Sequence, residues 1–267
     1  MKILLTFALE NEFAPWRAMR DFRVAEFGQL TTHWTSIAGA AVVVVLTGAG
    51  PKQARTAMTK IMKEQEGINL CVSSGLAGAL AASLRVGQVV AARSVLAESE
   101  VEADDRNLLL SSGPLVAFAQ EAGATAVHRL YSADRVITRS EEKRHLGLHS
   151  DAVEMESFEV MFAAAEQGIP AIAIRSISDT ADEDLPLDID RIFTDEGQIS
   201  MPRVLGEVLR HPGSVSSLVR LGQNSKTAAT SLAHFLDGYI KLISQRYNKL
   251  EASAAQSDSA VSAKSFK

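Results

Sequence analysis

The sequence predicts a three-layer α/β/α fold around a central mixed, largely parallel twisted sheet. Short apolar runs alternate with helix-like stretches through the first 180 residues. Val42-Val-Val-Val-Val-Leu46 is β-branched almost throughout, the composition of a strand buried on both faces. Val153-Glu-Met-Glu-Ser157 leads through a helical stretch, closed by Gly168 and Pro170, into the apolar run Ala171 to Ile177. Together these read as a βαβ unit.

Taken in order, Lys2 to Ala8 reads as the first strand, followed by Leu9-Glu-Asn-Glu12. The Val42–Leu46 strand ends in Thr47-Gly-Ala-Gly-Pro51, a turn that opens a helix from about Lys52 to Glu64. A strand over 69–73 runs into Ser74-Gly-Leu-Ala-Gly78, expected to be a glycine turn into a helix, and Gly87 to Ala92 supplies another strand. Residues 116–122 read as a helix ended by Gly123, and Leu130 to Ile137 as mixed strand and turn. Beyond Asp179 the chain turns acidic around Pro186, which fits a solvent-facing loop better than a lid. A catalytic domain is expected over 1–248, with its core in 1–180 and C-terminal helices over 202–248, broken at Pro212-Gly213. The Ala/Ser-rich stretch 249–267 has little to bury and is expected to be disordered.

Composition narrows the function. A net charge of −5 and the lack of a basic, aromatic-interleaved run argue against nucleic acid as partner. The single cysteine, Cys71, lies in an apolar run and fits a reducing, cytoplasmic setting better than a disulfide framework. The N-terminal apolar run is interrupted by Glu10 and Glu12, unlike a signal peptide, and the run near Ala38 to Leu46 is too short to span a bilayer. His145 and His149 have a metal-ligand spacing but sit beside Glu141, Glu142, Lys143 and Arg144, so a solvated helix face is the better reading and no metal is expected.

In open α/β sheets, ligands bind beyond the carboxyl ends of the strands. That edge collects Glu12, the glycines Gly75 and Gly78, the pair Glu154 and Glu156, and Asp179. Taken singly, Glu12 fits a first-turn helix residue, Asp179 an N-cap and the glycine pair a tight turn. Their convergence on one edge favours a site.

These residues, in this order, resemble the nucleoside phosphorylase/nucleosidase superfamily, and most of all its methylthioadenosine/S-adenosylhomocysteine nucleosidases. The likeness covers roughly 1–180: Ala8-Leu-Glu-Asn-Glu12, Thr47-Gly-Ala-Gly50, Ser74 to Leu80 with Val86 to Val90, Val153-Glu-Met-Glu156 and Arg175-Ser-Ile-Ser-Asp179. It implies cleavage of the bond between a purine and a ribose, without a cofactor. Asp179 would protonate the base and Glu12 would activate water. Glu156 would accept the ribose hydroxyls, Met155 would pack on the sugar and Glu154 would help position water. Arg175 and Ser178 would hold these acids or the base edge. Gly75 and Leu76 would line the substrate site, with Val136 or Arg135 standing where the nucleosidases place a phenylalanine against the base.

Leu76 departs from the family's serine, and Glu98 to Asp105 is shorter than the segment that builds the dimer contact and 5′ pocket. The region from Leu209 to Gly222 is similar to the tail of hopanoid-associated members, which release adenine from adenosylhopane. The expected substrate is thus a methylthioadenosine-like or adenosylhopane-like nucleoside, with membrane association only through a lipid-linked substrate, and the expected assembly is a homodimer. A phosphate-dependent phosphorylase and a non-catalytic nucleoside sensor are the alternatives. The carboxylate at Glu12 disfavours phosphate, although Arg17 and Arg20 follow nearby.

Overall fold

The computed structural model describes residues 1–27, 30–98, 107–185 and 215–264. The chain begins with β1 (Lys2–Phe7) and α1 (Glu10–Met19), then a meander of β2 (Arg23–Phe27), β3 (Leu30–Ile37) and β4 (Ala40–Leu46). Next come α2 (Pro51–Glu64), β5 (Leu70–Ala79), β6 (Val89–Ala97) and β7 (Leu108–Leu110). Then follow α3 (Gly113–Glu121), β8 (Thr125–Ser132), α4 (Ser140–Leu146), β9 (Ala152–Glu154), α5 (Ser157–Glu166) and β10 (Ala171–Asp179). The long helix α6 (Val215–Lys264) is the last element.

The strands form one mixed sheet in the order β10-β6-β8-β9-β5-β1-β4-β3-β2, with β7 on β6. Its middle is parallel, with β1 between β4 and β5 and with β10 on the other edge of β5. Because β10 also pairs with β6, the strands β5, β10, β6, β8 and β9 close into a ring, from which β1, β4, β3 and β2 extend.

Period-two alternation sends the strand residues into two cores. Ile3 and Leu5 of β1, Val42 and Val44 of β4, and Leu70 and Val72 of β5 pack with Phe13 and Trp16 of α1 and Leu232, Leu236 and Ile240 of α6. Leu4, Val43, Val45 and Cys71 face the other way, onto Met58 and Ile61 of α2 and Val160 and Met161 of α5. Helices therefore cover both faces, as the three-layer expectation required. Each fully buried Leu, Ile or Val contributes about 1.5–3 kcal/mol, so α6 is held by its apolar stripe and not by its polar face.

Three expectations change. Residues 23–37 form antiparallel strands where only alternating strands and helices were expected; the turn into β4 places Ala38 and Gly39 at positive φ, 49° and 84°, as tight hairpins require. Ser74 to Ala79 is not a turn into a helix but the second half of β5. Finally, α6 is continuous to Lys264, across most of the stretch expected to lack structure; Ala252, Ala254, Ala255, Ala260 and Ala263 favour helix there. The proposed break at Pro212-Gly213, most of the acidic stretch after Asp184 and Glu100 to Asp105 lie outside the described residues.

Candidate active site

β5 explains how the site opens. Its edge pairs with β1 as far as Ser73, and with β9 only from Gly78. Between these, the strand edge faces no other strand among the described residues, and an unpaired backbone N–H in a buried setting needs an acceptor. Glu12 supplies it: Leu76 N–H donates to Glu12 Oε1 at 3.0 Å. Glu12 sits in the first turn of α1, and its Oε2 accepts from the N–H groups of Ala8 (3.0 Å) and Leu9 (3.2 Å). Burial pushes the Glu12 carboxyl above its ordinary range, while these N–H groups and Arg175 pull against that. A carboxyl raised in this way takes up a proton more readily than a solvated one.

The two glycines of this segment have separate steric reasons. A Cβ on Gly75, whose φ is +150°, would stand 3.1 Å from both Glu12 oxygens. A Cβ on Gly78 would lie 2.8 Å from Asp179 Oδ2. Each glycine makes room for one acid.

β9 and β10 deliver the remaining acids. Glu154 ends β9, and its Oε2 accepts from Glu156 N–H (3.0 Å), Ser157 N–H (2.8 Å) and the Arg175 guanidinium. A carboxylate on the first N–H groups of α5 is favoured by the helix dipole. The buried Oε1 of Glu154 has no hydrogen-bond partner among the described residues. Arg175, 1% exposed, projects from β10 and also donates to Ser73 Oγ at 3.1 Å. Glu156 accepts from Gly50 N–H at 2.7 Å and stands 4.0 Å from Arg175. Burial, reinforced by Glu154, raises the Glu156 carboxyl to about 8. Asp179 closes β10; its Oδ1 accepts from the Ser178 hydroxyl at 2.7 Å.

Glu12, Leu76, Val136, Glu154, Met155, Glu156, Ser178 and Asp179 line one cavity of about 270 Å³. Gly75 is adjacent in β5, and Arg175 stands behind the acids. The other walls include Leu185 and, from α6, Leu218, Leu221 and Ser225, which sequence reasoning did not nominate. A loop and a distant helix leave no spacing signal for such a contribution. Among the described residues, the lining holds four carboxyl groups and no lysine or arginine. Arg17 pairs with Glu10 and Arg20 with Asp237, both outside that lining, and Arg135 pairs with Glu142.

Lys143 was also missed as a site residue. Read as part of a solvated face, it is instead fully buried, and its ammonium contacts Asp179 Oδ2 at 2.5 Å. No group of three or more histidine, cysteine, aspartate or glutamate side chains among the described residues is arranged to hold a metal ion.

Comparison with known proteins bears on the family and the fold. A family model described as the phosphorylase superfamily matches residues 2–210. The aminodeoxyfutalosine nucleosidase of Helicobacter pylori is 27% identical over 219 residues, 74% of this chain and 94% of that protein. The 5′-methylthioadenosine/S-adenosylhomocysteine nucleosidase of Shewanella putrefaciens is 26% identical over 231 residues, 77% of this chain and 97% of that protein. Among solved structures, the corresponding nucleosidase of S. pneumoniae, bound to a transition-state inhibitor, superposes with a TM-score of 0.71 at 20% identity. That match covers 91% of this chain and 100% of the other.

Proposed function

The chain belongs to the phosphorylase superfamily, and we propose that it is a purine nucleosidase that hydrolyses the N-glycosidic bond of an adenine nucleoside. The observation that carries this reading is a cavity lined by four carboxyl groups, with the cation Arg135 set on the adjoining pocket that shares Glu154 and Asp179. Bond cleavage leaves positive charge on the ribose ring, and fixed negative groups stabilise it. A carboxyl group at Glu12 offers a base to water and no counter-charge to phosphate, which favours water over phosphorolysis.

In this mechanism the C1′–N9 bond breaks and its electron pair passes to the base, whose N7 takes a proton from Asp179. Water adds to C1′ and gives a proton to Glu12. Glu156 accepts the ribose hydroxyls, Met155 packs against the sugar, and Glu154 Oε1 is available to a water or a hydroxyl. Arg175 acts indirectly, by holding Glu154. A sensor would have no need of both Glu12 and Asp179 in bonded, cavity-lining positions.

The substituent at the 5′ carbon is apolar. Leu76, Val136, Leu185, Leu218 and Leu221 offer it hydrocarbon and no counter-charge. Methylthioadenosine fits that chemistry, and so does a larger lipid-linked adenine nucleoside of the adenosylhopane kind. The zwitterionic end of S-adenosylhomocysteine fits it less well. A homodimer and a cytoplasmic location come with the family resemblance; among the described residues no helix is long and apolar enough to cross a membrane.

The test is to incubate the protein with methylthioadenosine and S-adenosylhomocysteine, with and without phosphate, and to follow free adenine by chromatography. Release from methylthioadenosine without phosphate is the expected result. Release that requires phosphate would overturn hydrolysis. No release from either compound makes adenosylhopane the next substrate, and inertness toward all three would overturn the proposal.

A further inference from the structure

The immediate partner of Asp179 is a residue that the family resemblance does not supply. Lys143 lies on α4 within Glu141-Glu142-Lys143-Arg144, yet it is 0% exposed. Its Nζ donates to Asp179 Oδ2 (2.5 Å), to the Thr180 carbonyl (3.1 Å) and to the Glu183 carbonyl (3.0 Å). An ammonium has three donors and no acceptor, and here three acceptors meet it. The Ser178 hydroxyl already occupies Asp179 Oδ1. With the Ser178 hydroxyl at Oδ1 and the Lys143 ammonium at Oδ2, the charged donor nearest to Asp179 is Lys143 Nζ. A buried lysine also has no solvent-facing reason to be there, since lysine is rarely fully buried unless paired.

We propose that Lys143 supplies the proton that Asp179 passes to the leaving base, so that the acid of the reaction is the Lys143–Asp179 pair. This rests on the nucleosidase reading, in which Asp179 faces N7. A proton moves from Lys143 Nζ to Asp179 Oδ2, leaving a neutral amine. As the C1′–N9 bond breaks and its electron pair enters the purine, N7 takes that proton from Asp179. Water adds to C1′ and leaves its proton on Glu12. Once the products depart, that proton returns through water refilling the cavity to the Asp179–Lys143 pair, so the count closes over one turnover. The carbonyls of Thr180 and Glu183 hold the amine in place throughout.

The alternative is that Lys143 only fixes the position of Asp179, and Lys143→Arg separates the two; leaving-group chemistry shows whether Lys143 acts through protonation of the base at all. Methylthioadenosine needs a proton on its base, whereas the p-nitrophenyl glycoside of 5-methylthioribose releases nitrophenolate without one. Lys143→Met and Lys143→Arg would be assayed on both substrates beside Asp179→Asn, with melting curves to check folding. Arginine keeps the charge but does not give up a proton in proteins.

Expected are losses of at least about a hundredfold on methylthioadenosine for all three variants, with nitrophenyl glycoside turnover falling no more than about tenfold. Recovery by Lys143→Arg to within about tenfold of the original rate on methylthioadenosine would overturn the relay in favour of positioning. Equal loss on both substrates by a folded Lys143→Met protein would also overturn the relay, by showing that Lys143 supports the whole site and not base protonation. If Lys143→Met does not fold, Lys143→Gln, which retains a donor to the carbonyls, takes its place under the same criteria. Unchanged methylthioadenosine turnover in Asp179→Asn, or no adenine release by the unsubstituted protein from methylthioadenosine, S-adenosylhomocysteine or adenosylhopane, would mark failure of the underlying site assignment, and the relay would fall with it.

Discussion

The two ends of the cavity are built by different rules. At the acidic end each carboxyl group is fixed by neighbours from the sheet, strand ends or helix starts. Glu12 takes three backbone N–H groups, Glu154 two N–H groups and a guanidinium, Glu156 one N–H, and Asp179 a hydroxyl and an ammonium. At the apolar end, Leu185 comes from a loop and Leu218 and Leu221 from α6. Hydrogen bonds specify position to tenths of an ångström, whereas hydrocarbon walls specify volume and little else. On the proposed nucleosidase reading, the acidic end determines the reaction and the apolar end determines which substituent is admitted. That division would allow α6 to change between relatives without disturbing the chemistry.

The largest effect that tests this contrast falls on the acidic end. Asp179→Asn keeps the shape and removes the proton donor, so turnover should drop about 10²–10⁴-fold. Substrate affinity should change much less, and the melting curve should still show a cooperative transition. Near-normal kcat would show that this end does not determine the reaction.

Next in size is Gly75→Ala. The added methyl would stand 3.1 Å from both Glu12 oxygens at a φ of +150°, a backbone conformation that alanine rarely adopts. Strain of this kind costs about 1–3 kcal/mol, and displacement of Glu12 should lower kcat by about a hundredfold. Steady-state kinetics and thermal melts on the same preparation would test both parts; an unaffected kcat would mean that Glu12 is not held by this contact.

On the apolar side, Leu221→Ala should raise KM for methylthioadenosine about tenfold and leave adenosine, which lacks the thioether, nearly unaffected. Equal loss on both substrates would show that α6 supports the whole cavity and does not select the substituent.

The acidic end was also the more legible in the sequence. Glu12, Glu154, Glu156 and Asp179 each follow an apolar run, and strand ends on one edge of a sheet must converge. Leu218 and Leu221 lie more than 35 residues beyond the last strand, and nothing in their spacing points to a cavity. Lys143 was misread for a related reason: one lysine among Glu141, Glu142 and Arg144 looks solvated, and only the tertiary position of α4 turns it toward Asp179. The segment 74–79 borders the cavity as strand and not as the expected turn, because two glycines three apart look like a turn in sequence. Here they are clearances for Glu12 and Asp179 within a strand.

The smallest effect concerns Glu156, whose carboxyl is raised to about 8 by burial and by Glu154. Between the ordinary carboxylate range near 4.5 and about 8, the folded protein keeps a proton that the unfolded chain has released. Stability therefore declines as pH rises through that window, and the loss is complete above it. Glu156→Gln has no such proton. Its melting temperature should match that of the unsubstituted protein near pH 4.5 and exceed it progressively up to about pH 8. Each kcal/mol removed corresponds to about 2–4 °C in a chain of this size. Parallel melting curves against pH would indicate that the acidic end is less desolvated than its geometry implies. Above about pH 8, where Glu156 is ionised, Glu156→Gln should also weaken binding of nucleosides with intact ribose hydroxyls, because a neutral amide accepts them less strongly than a carboxylate. More stability with poorer binding in that pH range is the expected signature of a carboxyl group buried for function at the expense of the fold.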